Sequence, residues 1–389
     1  MPDNALTRAK REQQTRTRSK PGLFQRGKLD LTFLFLVLIL LATGLVMLFS
    51  ASAPYASTYY NNSYHFITRQ LVFAVAGVIA MLFISKINYH ILKNLRWIFA
   101  GVTAALLCAV LVMPEAVPGF KRWIAIGSFT FQPSEIAKFT LTLLLAYFIS
   151  RYQHRMGEWK FILELFLIIG VTCGLVILEK HLSATILIFA IGIALLFAGG
   201  MKIKWMVGIG GVGIGGFVIA VLTGLISYGS DRITYWLDPW ADPQGLGYQT
   251  IQSLLAIGSG GLMGQGLGES NQKYLWVPEP QNDFIFSIVC EELGLIGALL
   301  IVVAFALLVW RGFVIAMRSA DKFGALLVIG ITFHVGLQTV LNMLVVTNTI
   351  PNTGISLPFF SYGGSALLML LAEMGVILSV SRRCNMEKV

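Results

Sequence analysis

The stretch LTFLFLVLILLATGLVMLF, from Leu31 to Phe49, contains no charged residue and decides the class of the fold. Its length of about 19 residues is close to the roughly 20 that a helix needs to cross a hydrocarbon core about 30 Å thick. The next four residues, Ser-Ala-Ser-Ala at 50–53, would suit the cleavage site of a signal peptide. A signal peptide, however, has an apolar region of about 7–15 residues, and here further apolar runs follow. We therefore predict an uncleaved first membrane helix.

The composition of the whole chain supports the same class. Hydrophobic residues make up 56% of the 389 residues and charged residues only 12%, about half the charged share of a soluble protein. The mean hydropathy is +0.75. We predict an all-α polytopic membrane protein. Its ten membrane-spanning helices are expected at roughly 31–51, 67–85, 96–113, 134–152, 161–178, 183–199, 205–227, 284–310, 323–345 and 361–381.

The basic residues set the predicted orientation. The net charge is +10, and eight of the 29 Lys and Arg residues precede Leu29. With the amino terminus inside, 22 basic residues fall on the inner side and seven on the outer side, a strong positive-inside bias. Membrane orientation explains this charge better than nucleic-acid binding does. We predict a bacterial cytoplasmic-membrane protein with both termini cytoplasmic: a disordered basic tail at 1–28, a membrane domain at 29–383 and a short tail at 384–389.

A long connection at 228–282, between the seventh and eighth predicted helices, then lies on the extracellular side. Its length, more than 50 residues, is typical of a functional loop. Its YQTIQSLLAIG is apolar but too short to span, which favours a re-entrant or interfacial helix. The glycines of GSGGLMGQGLG suit either tight turns beside a ligand or a plain flexible loop. The GIGGVG at 208–213 matches a dinucleotide-binding pattern, but no strand precedes it, so we interpret it as close helix packing.

Charged residues at membrane depth are candidates for function, because burying an ion in lipid is costly. Arg69 and Lys138 lie at the outer ends of the second and fourth predicted helices, where they suit an anionic ligand such as a lipid diphosphate. For Lys138 the alternatives are snorkelling to the interface and pairing with Glu135, three residues before it. A polar stripe on one face of the ninth helix favours helix–helix hydrogen bonding over a ligand role. It consists of His334, Gln338 and Asn342.

The stretch VPEPQNDFIFSIVCEE, at 277–292, brings three carboxylates to the start of the eighth predicted helix. Asp283 suits either a helix cap or first-turn acid or a base that reaches a substrate hydroxyl from the water edge. Glu291 and Glu292 lie about 12 Å deeper at 1.5 Å per residue. Because adjacent residues do not share a helix face, at most one of them points along the cavity side. We expect one of them to hold buried polar groups in place beneath Asp283.

Four motifs resemble those of the SEDS family of bacterial cell-wall polymerases, the group that includes FtsW, RodA and SpoVE. In family order they are KRWIAIGSFTFQPSEIAK, DPQGLGYQTIQSLLAIGSGGLMGQGLGES, VPEPQNDFIFSIVCEELG and NTGISLPFFSYGGSA. The family also has ten membrane helices. The basic tail and the last motif are closer to FtsW or SpoVE than to RodA.

The resemblance implies a peptidoglycan glycosyltransferase that polymerises lipid II, a disaccharide-pentapeptide on undecaprenyl diphosphate, during division or sporulation. The family's essential aspartate falls on Asp283, and its lysine and arginine fall on Lys138 and Arg69. Two positions depart from the family pattern: His181 stands where many members have aspartate, and Thr353 where some have a basic residue. Further residues expected in the substrate site or its support are Trp123, Glu135, His181, Glu291, Glu292 and Ser361.

The expected reaction is an inverting hexosyl transfer in which Asp283 acts as general base and cations stabilise the departing diphosphate. Because the family is associated with divalent cations, Mg or Mn at Asp283 is a further expectation. Expected partners are lipid II, a class B penicillin-binding protein transpeptidase and other division or sporulation membrane proteins, without nucleic acid. The alternatives are a lipid II flippase and a division scaffold. Flippases of the transporter type often show inverted repeats, which this chain lacks, and a scaffold needs no acid at the outer mouth.

Overall fold

The computed structural model describes residues 27–114, 122–126, 129–205, 208, 234–245 and 247–384. Outside these residues lie most of the predicted basic tail, all of the predicted helix at 205–227 except Trp205 and Gly208, and the chain after Cys384. The loop at 228–282 is described from residue 234, except for residue 246.

Helices in the described residues coincide with nine of the ten predicted spans. In chain order the helices are α1 (Leu31–Tyr60), α2 (His65–Ile84), α3 (Ile91–Val112), α4 (Pro133–Arg151), α5 (Trp159–Leu178), α6 (Leu182–Ala198), α7 (Tyr248–Ser259), α8 (Ile285–Met317), α9 (Lys322–Val346) and α10 (Gly364–Ser381). Seven of these are long and apolar enough to cross a membrane, namely α1–α3, α5 and α8–α10. Helix α7 has 12 residues and occupies the apolar stretch for which a short helix was predicted.

Local sequence signals start several of these helices. Asp30 caps α1 by accepting a hydrogen bond from Phe33 N at 2.9 Å, and Asp321 caps α9 from Gly324 N at 3.1 Å. Pro133 occupies the first turn of α4, where its missing N–H costs no helix hydrogen bond. These caps fix where the chain enters the helical bundle.

A small β-hairpin corrects the strictly all-α prediction. Strands β1 (Ile124–Ile126) and β2 (Phe129–Phe131) pair antiparallel, with Ala125 opposite Thr130. Their sequence, IAI and FTF around a Gly-Ser pair, combines β-branched and aromatic residues with a turn signal. The hairpin leads directly into α4 and so places Trp123 and Arg122 beside its first turn.

Helices α4, α9 and α10 form the core of the bundle. Helix α4 is buried on nearly all sides, whereas α3 buries only three of its residues. Helix α9 contacts α4, α6 and α8, and α10 packs along α2. Small residues permit the close approach, because a Cβ on Gly375 of α10 would lie 2.7 Å from the carbonyl oxygen of Met81.

Helix α8 is broken at Gly294, and the glycine-rich segment after α7 fills the break. Gly294 has φ +66° and ψ −171°, a conformation that essentially only glycine adopts. Backbone groups freed by the break bond to the glycine segment in both directions. Leu295 N donates to Gly261 O at 3.0 Å, and Gln265 N donates to Glu291 O at 2.9 Å. Gly260 and Gly264 therefore pack against the backbone of α8, a role that differs from the two predicted for this segment, a ligand turn and a flexible loop.

Candidate active site at the ends of α4, α8 and α9

Asp283 lies two residues before α8, and its backbone is held by the core of the bundle. Asn342 of α9 donates its Nδ2 to Asp283 O and to Ile355 O, both at 2.7 Å. The side chain of Asp283 is half-buried. A Cβ added to Gly354 would lie 3.7 Å from Asp283 Oδ2, so the chain after α9 passes directly beside the carboxylate.

That chain, residues 353–363, is called here the connecting segment, and it joins the site together. Tyr362 N donates to Gln281 O at 2.8 Å, which ties the segment to the stretch before Asp283. Gln70 of α2 donates to Ser361 O at 3.3 Å and accepts from Gly363 N at 3.2 Å. Ser361 Oγ accepts from Leu357 N at 2.8 Å, so this hydroxyl stabilises a turn of the segment.

Lys138 is almost fully buried, with 2% of its surface exposed. Its ammonium lies 2.9 Å from Glu135 Oε1, which is the pairing considered as an alternative to a ligand role. It also donates to Gln338 Oε1 at 3.2 Å. Gln338 in turn donates its Nε2 to Ser356 O of the connecting segment at 2.9 Å. Of the three donors on an ammonium, these contacts account for two within the described part of the chain.

The orientation of Gln338 fixes a proton on His334. Because Nε2 of Gln338 donates to a carbonyl, its Oε1 must be the atom that faces both Lys138 and His334. His334 Nε2 lies 2.8 Å from that oxygen, and an amide oxygen only accepts, so Nε2 carries a hydrogen. His334 Nδ1 lies 3.4 Å from Glu373 Oε2. The preferred helix–helix role of the polar stripe is thus confirmed for these contacts.

These side chains surround a narrow cavity of about 30 Å³, room for one or two water molecules. Glu135 and Ser361 both line it, together with His334, Gln338 and Glu373. The cavity therefore joins Glu135 of α4, the polar face of α9 and the connecting segment in one polar site.

Arg69 lies on α2, one residue before Gln70, and is half-buried. Within the described residues its guanidinium has neither a salt bridge nor a hydrogen bond. Its neighbour Gln70 contacts the same connecting segment that binds Gln338. A half-buried cation that has no salt bridge or hydrogen bond in the described part of the chain suits an anionic ligand.

A second cluster lies between the hairpin and the first turns of α4 and α6. His181 is buried, and its Nδ1 lies 3.4 Å from Ser134 Oγ. Burial, followed by the positive charges of Arg122 and Lys138, lowers the pKa of His181 to about 3. Where the family pattern has a carboxylate, this chain therefore carries a neutral imidazole. Trp123 is half-buried beside this cluster.

Arg122 and Glu179 complete the cluster. Arg122 donates to Lys180 O at 2.7 Å, which ties the start of the hairpin to the α5–α6 turn. Burial raises the pKa of Glu179 to about 8, and the positive charge of Arg122 partly offsets this effect. Ser183 donates to Thr353 O, so the cluster also reaches the start of the connecting segment.

Glu291 and Glu292 both support the glycine segment, whereas only one of them was expected to hold the polar geometry beneath Asp283. Glu291 accepts from Ser270 Oγ at 2.5 Å and from Asn271 N at 3.0 Å. Glu292 lies 2.9 Å from Lys273 Nζ in a fully buried ion pair and accepts from Ser50 Oγ at 2.6 Å. The two side chains point to different sides of α8, as predicted, but each finds its partners in the long loop.

The carboxylates in the described residues do not form a group that would hold a metal by itself. No cluster of three His, Cys, Asp or Glu side chains with suitable geometry occurs there. Asp283 alone does not fit a resident divalent cation, although a single carboxylate is enough when substrate phosphates supply the remaining ligands. Mg or Mn at Asp283 stays a prediction.

Four polar residues of the site were missed at the level of sequence. They are Gln70, Gln281, Ser356 and Glu373. Glu373 carried a usable signal, because an acid inside an apolar helix is costly and usually functional or paired. Ser356 and Gln281 carried none, since each acts through the folding of a loop.

Comparisons with known proteins agree on the family. The family model described as "Cell cycle protein", which covers FtsW, RodA and SpoVE, matches residues 31–386. Stage V sporulation protein E of Bacillus subtilis (strain 168) is 40% identical over 357 residues, or 91% of this chain and 97% of that protein. The probable peptidoglycan glycosyltransferase FtsW of Geobacter sp. (strain M18) is 39% identical over 91% of this chain and 97% of its own length.

Solved structures share the fold. The rod shape determining protein RodA of Thermus thermophilus superposes with a TM-score of 0.69 at 26% identity, covering 92% of this chain and 98% of that one. A chain from work on the structural coordination of polymerization and crosslinking by a peptidoglycan synthase complex has a TM-score of 0.75 at 27% identity, covering 92% and 99%. The chain therefore belongs to the FtsW, RodA and SpoVE family of cell cycle proteins.

Proposed function

We propose that this chain is a peptidoglycan glycosyltransferase that polymerises lipid II into glycan strands during division or sporulation. The observation that carries the proposal is the half-buried Asp283 beside the connecting segment, which also contacts the Lys138–Gln338 pair. An acid and two cations, of which Lys138 is buried and Arg69 half-buried, suit the transfer of a sugar from a lipid diphosphate. The names of the relatives support the same activity.

In the proposed reaction a saccharide hydroxyl attacks the anomeric carbon of a second saccharide. A C–O bond forms to the attacking oxygen, and the bond from the anomeric carbon to the diphosphate oxygen breaks with inversion. The proton of the hydroxyl passes to the Asp283 carboxylate, and the electron pair leaves on the lipid diphosphate. General-base help of this kind is worth about 10²–10⁴-fold. Arg69 and the remaining donor of Lys138 would stabilise the developing charge on the diphosphate.

The proposed topology has ten membrane helices, with the Asp283 end facing outward. The positive-inside bias supports it, as does the basic inner end formed by Lys28, Arg311 and Arg318. Both termini would then lie in the cytoplasm of a bacterium and the long loop outside. Lipid II in the outer leaflet would reach Asp283 without crossing the membrane.

The proposed partner is a class B penicillin-binding protein, which would crosslink the strands that this chain makes. Two Ser-x-x-Lys stretches lie outside the predicted spans, at 270–273 and 319–322. The first is buried, with Ser270 donating to Glu291 and Lys273 paired with Glu292, and the second lies on the proposed inner side, so we expect another protein to crosslink. The lipid-facing side of α8 offers a surface for a single partner helix. Exposed apolar residues on that side include Leu295, Leu299, Leu300, Val303 and Leu307. Other division or sporulation membrane proteins would assemble around this pair.

The test is purified chain supplied with labelled lipid II, with and without a cognate transpeptidase whose own active site is blocked. We expect long glycan strands, and more of them in the presence of the partner. The same chain in liposomes with lipid II on one leaflet tests for flipping. Flipping without polymer, under conditions in which a positive-control polymerase works, would instead identify a flippase. Neither activity, with partner binding intact, would leave the scaffold function.

A further inference from the structure

An exposed group of aromatic rings lies where α1 meets α2. Tyr60 stacks on His65, with 3.9 Å between ring centroids and 15° between planes, and Tyr59 lies against Tyr55 at 4.5 Å. The outer rings are largely free, since Tyr59 is 63% and Tyr60 49% exposed. Exposure on this scale leaves a ring face available on each residue.

The length of α1 sets how far Tyr59 and Tyr60 stand from its inner end. The helix has 30 residues, so Tyr59 stands about 42 Å along the axis from Leu31 at 1.5 Å per residue. A hydrocarbon core is about 30 Å thick, and the headgroup layer adds about 5–8 Å on each side. Aromatic residues that anchor a membrane protein lie within that layer. With α1 along the membrane normal and Leu31 at the inner edge of the core, Tyr59 and Tyr60 pass the outer edge of this layer, where their rings can contact a ligand in water.

Tyr64 provides a contrast within the same loop. It is equally exposed, at 60%, but it stacks on Phe49 with 5.5 Å between centroids. Phe49 lies about 27 Å along α1 from Leu31, still inside the hydrocarbon core by the same arithmetic. Tyr64 is thus placed as an interfacial anchor, whereas its two neighbours are not.

The exposed rings are continuous with the candidate active site. Tyr60 contacts Phe66 edge to face, with 5.5 Å between centroids, and Phe66 contacts Tyr362 in the same way at 4.9 Å. Tyr362 belongs to the connecting segment and binds Gln281, two residues before Asp283. Arg69 follows His65 by one helical turn. The aromatic group therefore packs, through Phe66 and Tyr362, against the stretch that carries Asp283.

We propose that Tyr59 and Tyr60 form a subsite for the pyranose rings of a glycan strand, outside the membrane and next to the reacting sugars. The inference rests on the proposed function. A sugar ring has an apolar C–H face, and a tyrosine ring offers a rigid apolar surface with a polar edge that suits it. The two tyrosine side chains offer ring faces and no positive charge, which suits pyranose rings better than the diphosphate.

The test is binding of a fluorescent, peptide-free peptidoglycan tetrasaccharide, which lacks both lipid and diphosphate, to the detergent-purified full chain. We expect Tyr59→Ala and Tyr60→Ala each to weaken binding by about two- to tenfold. Tyr59→Phe and Tyr60→Phe, which keep the ring, should bind within about twofold of the parent. Tyr64→Ala is the matched control and should leave the tetrasaccharide affinity unchanged. Thermal unfolding of each variant identifies any that fail to fold.

Equal tetrasaccharide affinity of the parent, Tyr59→Ala and Tyr60→Ala would overturn the subsite, as would an equal loss in Tyr64→Ala. A loss in the Phe variants as large as in the Ala variants would overturn stacking as its basis. The assay needs no turnover. A chain that showed the expected pattern but failed to polymerise lipid II would therefore contradict the proposed function while supporting the saccharide subsite.

Discussion

At the scale of single residues, the site depends on how buried charges are compensated. Lys138 would be costly in the bundle if unpaired, and Glu135 at 2.9 Å provides the opposite charge. Arg69 has no such compensation within the described residues. The two cations therefore differ in what their removal should do, although both are assigned to the diphosphate.

For Arg69→Ala we expect a change in thermal stability of less than about 1 kcal/mol, because no described salt bridge or hydrogen bond is lost. The KM for lipid II should rise, since a charge-assisted contact to phosphate is worth about 1.5–3 kcal/mol. Steady-state kinetics alongside a melting curve measure both. Unchanged kinetics together with a large fall in melting temperature would assign Arg69 to structure alone.

For Lys138→Met we expect both stability and activity to fall, because Glu135 is left as an unpaired, mostly buried acid, at a cost of about 3–5 kcal/mol. The double variant Lys138→Met with Glu135→Gln removes both charges and should recover most of the stability. It should not recover lipid II polymerisation if Lys138 contacts the diphosphate. Wild-type turnover by the stable double variant would show that this ion pair serves folding only.

His181 should make stability depend on pH in the acid range. Its folded pKa of about 3 lies below the ordinary value near 6.5, so the neutral imidazole favours the folded state above pH 6.5. The free energy of unfolding therefore falls as the pH drops from 6.5 toward 3, and at pH 5 the loss is about 2 kcal/mol. Melting curves of wild type and His181→Asn between pH 7.5 and 4.5 measure the difference. Parallel curves would contradict a buried neutral His181.

At the scale of elements, the break in α8 couples that helix to the long loop. The first turns of α8 carry Glu291 and Glu292, whose carboxylates and carbonyls hold the glycine segment. Residues after the break continue along the lipid-facing surface assigned to the partner. A partner that shifts this helix would therefore also shift the loop, and through residues 277–282 the position of Asp283.

Gly294→Ala should destabilise this junction. The backbone conformation alone costs about 1–3 kcal/mol for a residue with a side chain, and the new Cβ would lie 2.2 Å from Gly264 N. Melting temperature and protease cleavage within residues 260–273 report the loss. Gly258→Ala is the control, because its Cβ meets no atom within 4 Å and Ala favours helix α7 by up to about 1 kcal/mol. Equal stability of the two variants would mean that the break is not rigid.

At the scale of the whole molecule, the sequence predicts the spans well because each needs only a local apolar run. Nine of the predicted segments coincide with helices, and the polar stripe on α9 faces inward as its spacing indicates. The partners of those polar residues depend on loops, and no local pattern specifies them. Gly294 shows where prediction from sequence stops, because a glycine inside an apolar run is equally compatible with close helix packing and with a break in the helix.

The charged residues of the candidate site were predictable from the sequence, whereas the residues that hold them in place were less so. Asp283, Arg69 and Lys138 stand out because charge is rare at membrane depth. The hairpin beside α4 was missed, since its strands have three residues each and fall below the length that alternation can reveal. The joint role of Glu291 and Glu292 was missed because it depends on a loop that folds back onto α8.

The most direct measurement is the polymerisation rate of purified Asp283→Asn on labelled lipid II, with its partner transpeptidase present in equal amounts. Asparagine keeps the size of the side chain, and the Asn342 contact to the backbone of residue 283 remains, so folding and partner binding should be unchanged. We predict a rate at least about 10²-fold below that of the parent chain. A folded Asn variant that makes glycan strands at the parental rate would contradict Asp283 as the base, and with it the proposed mechanism.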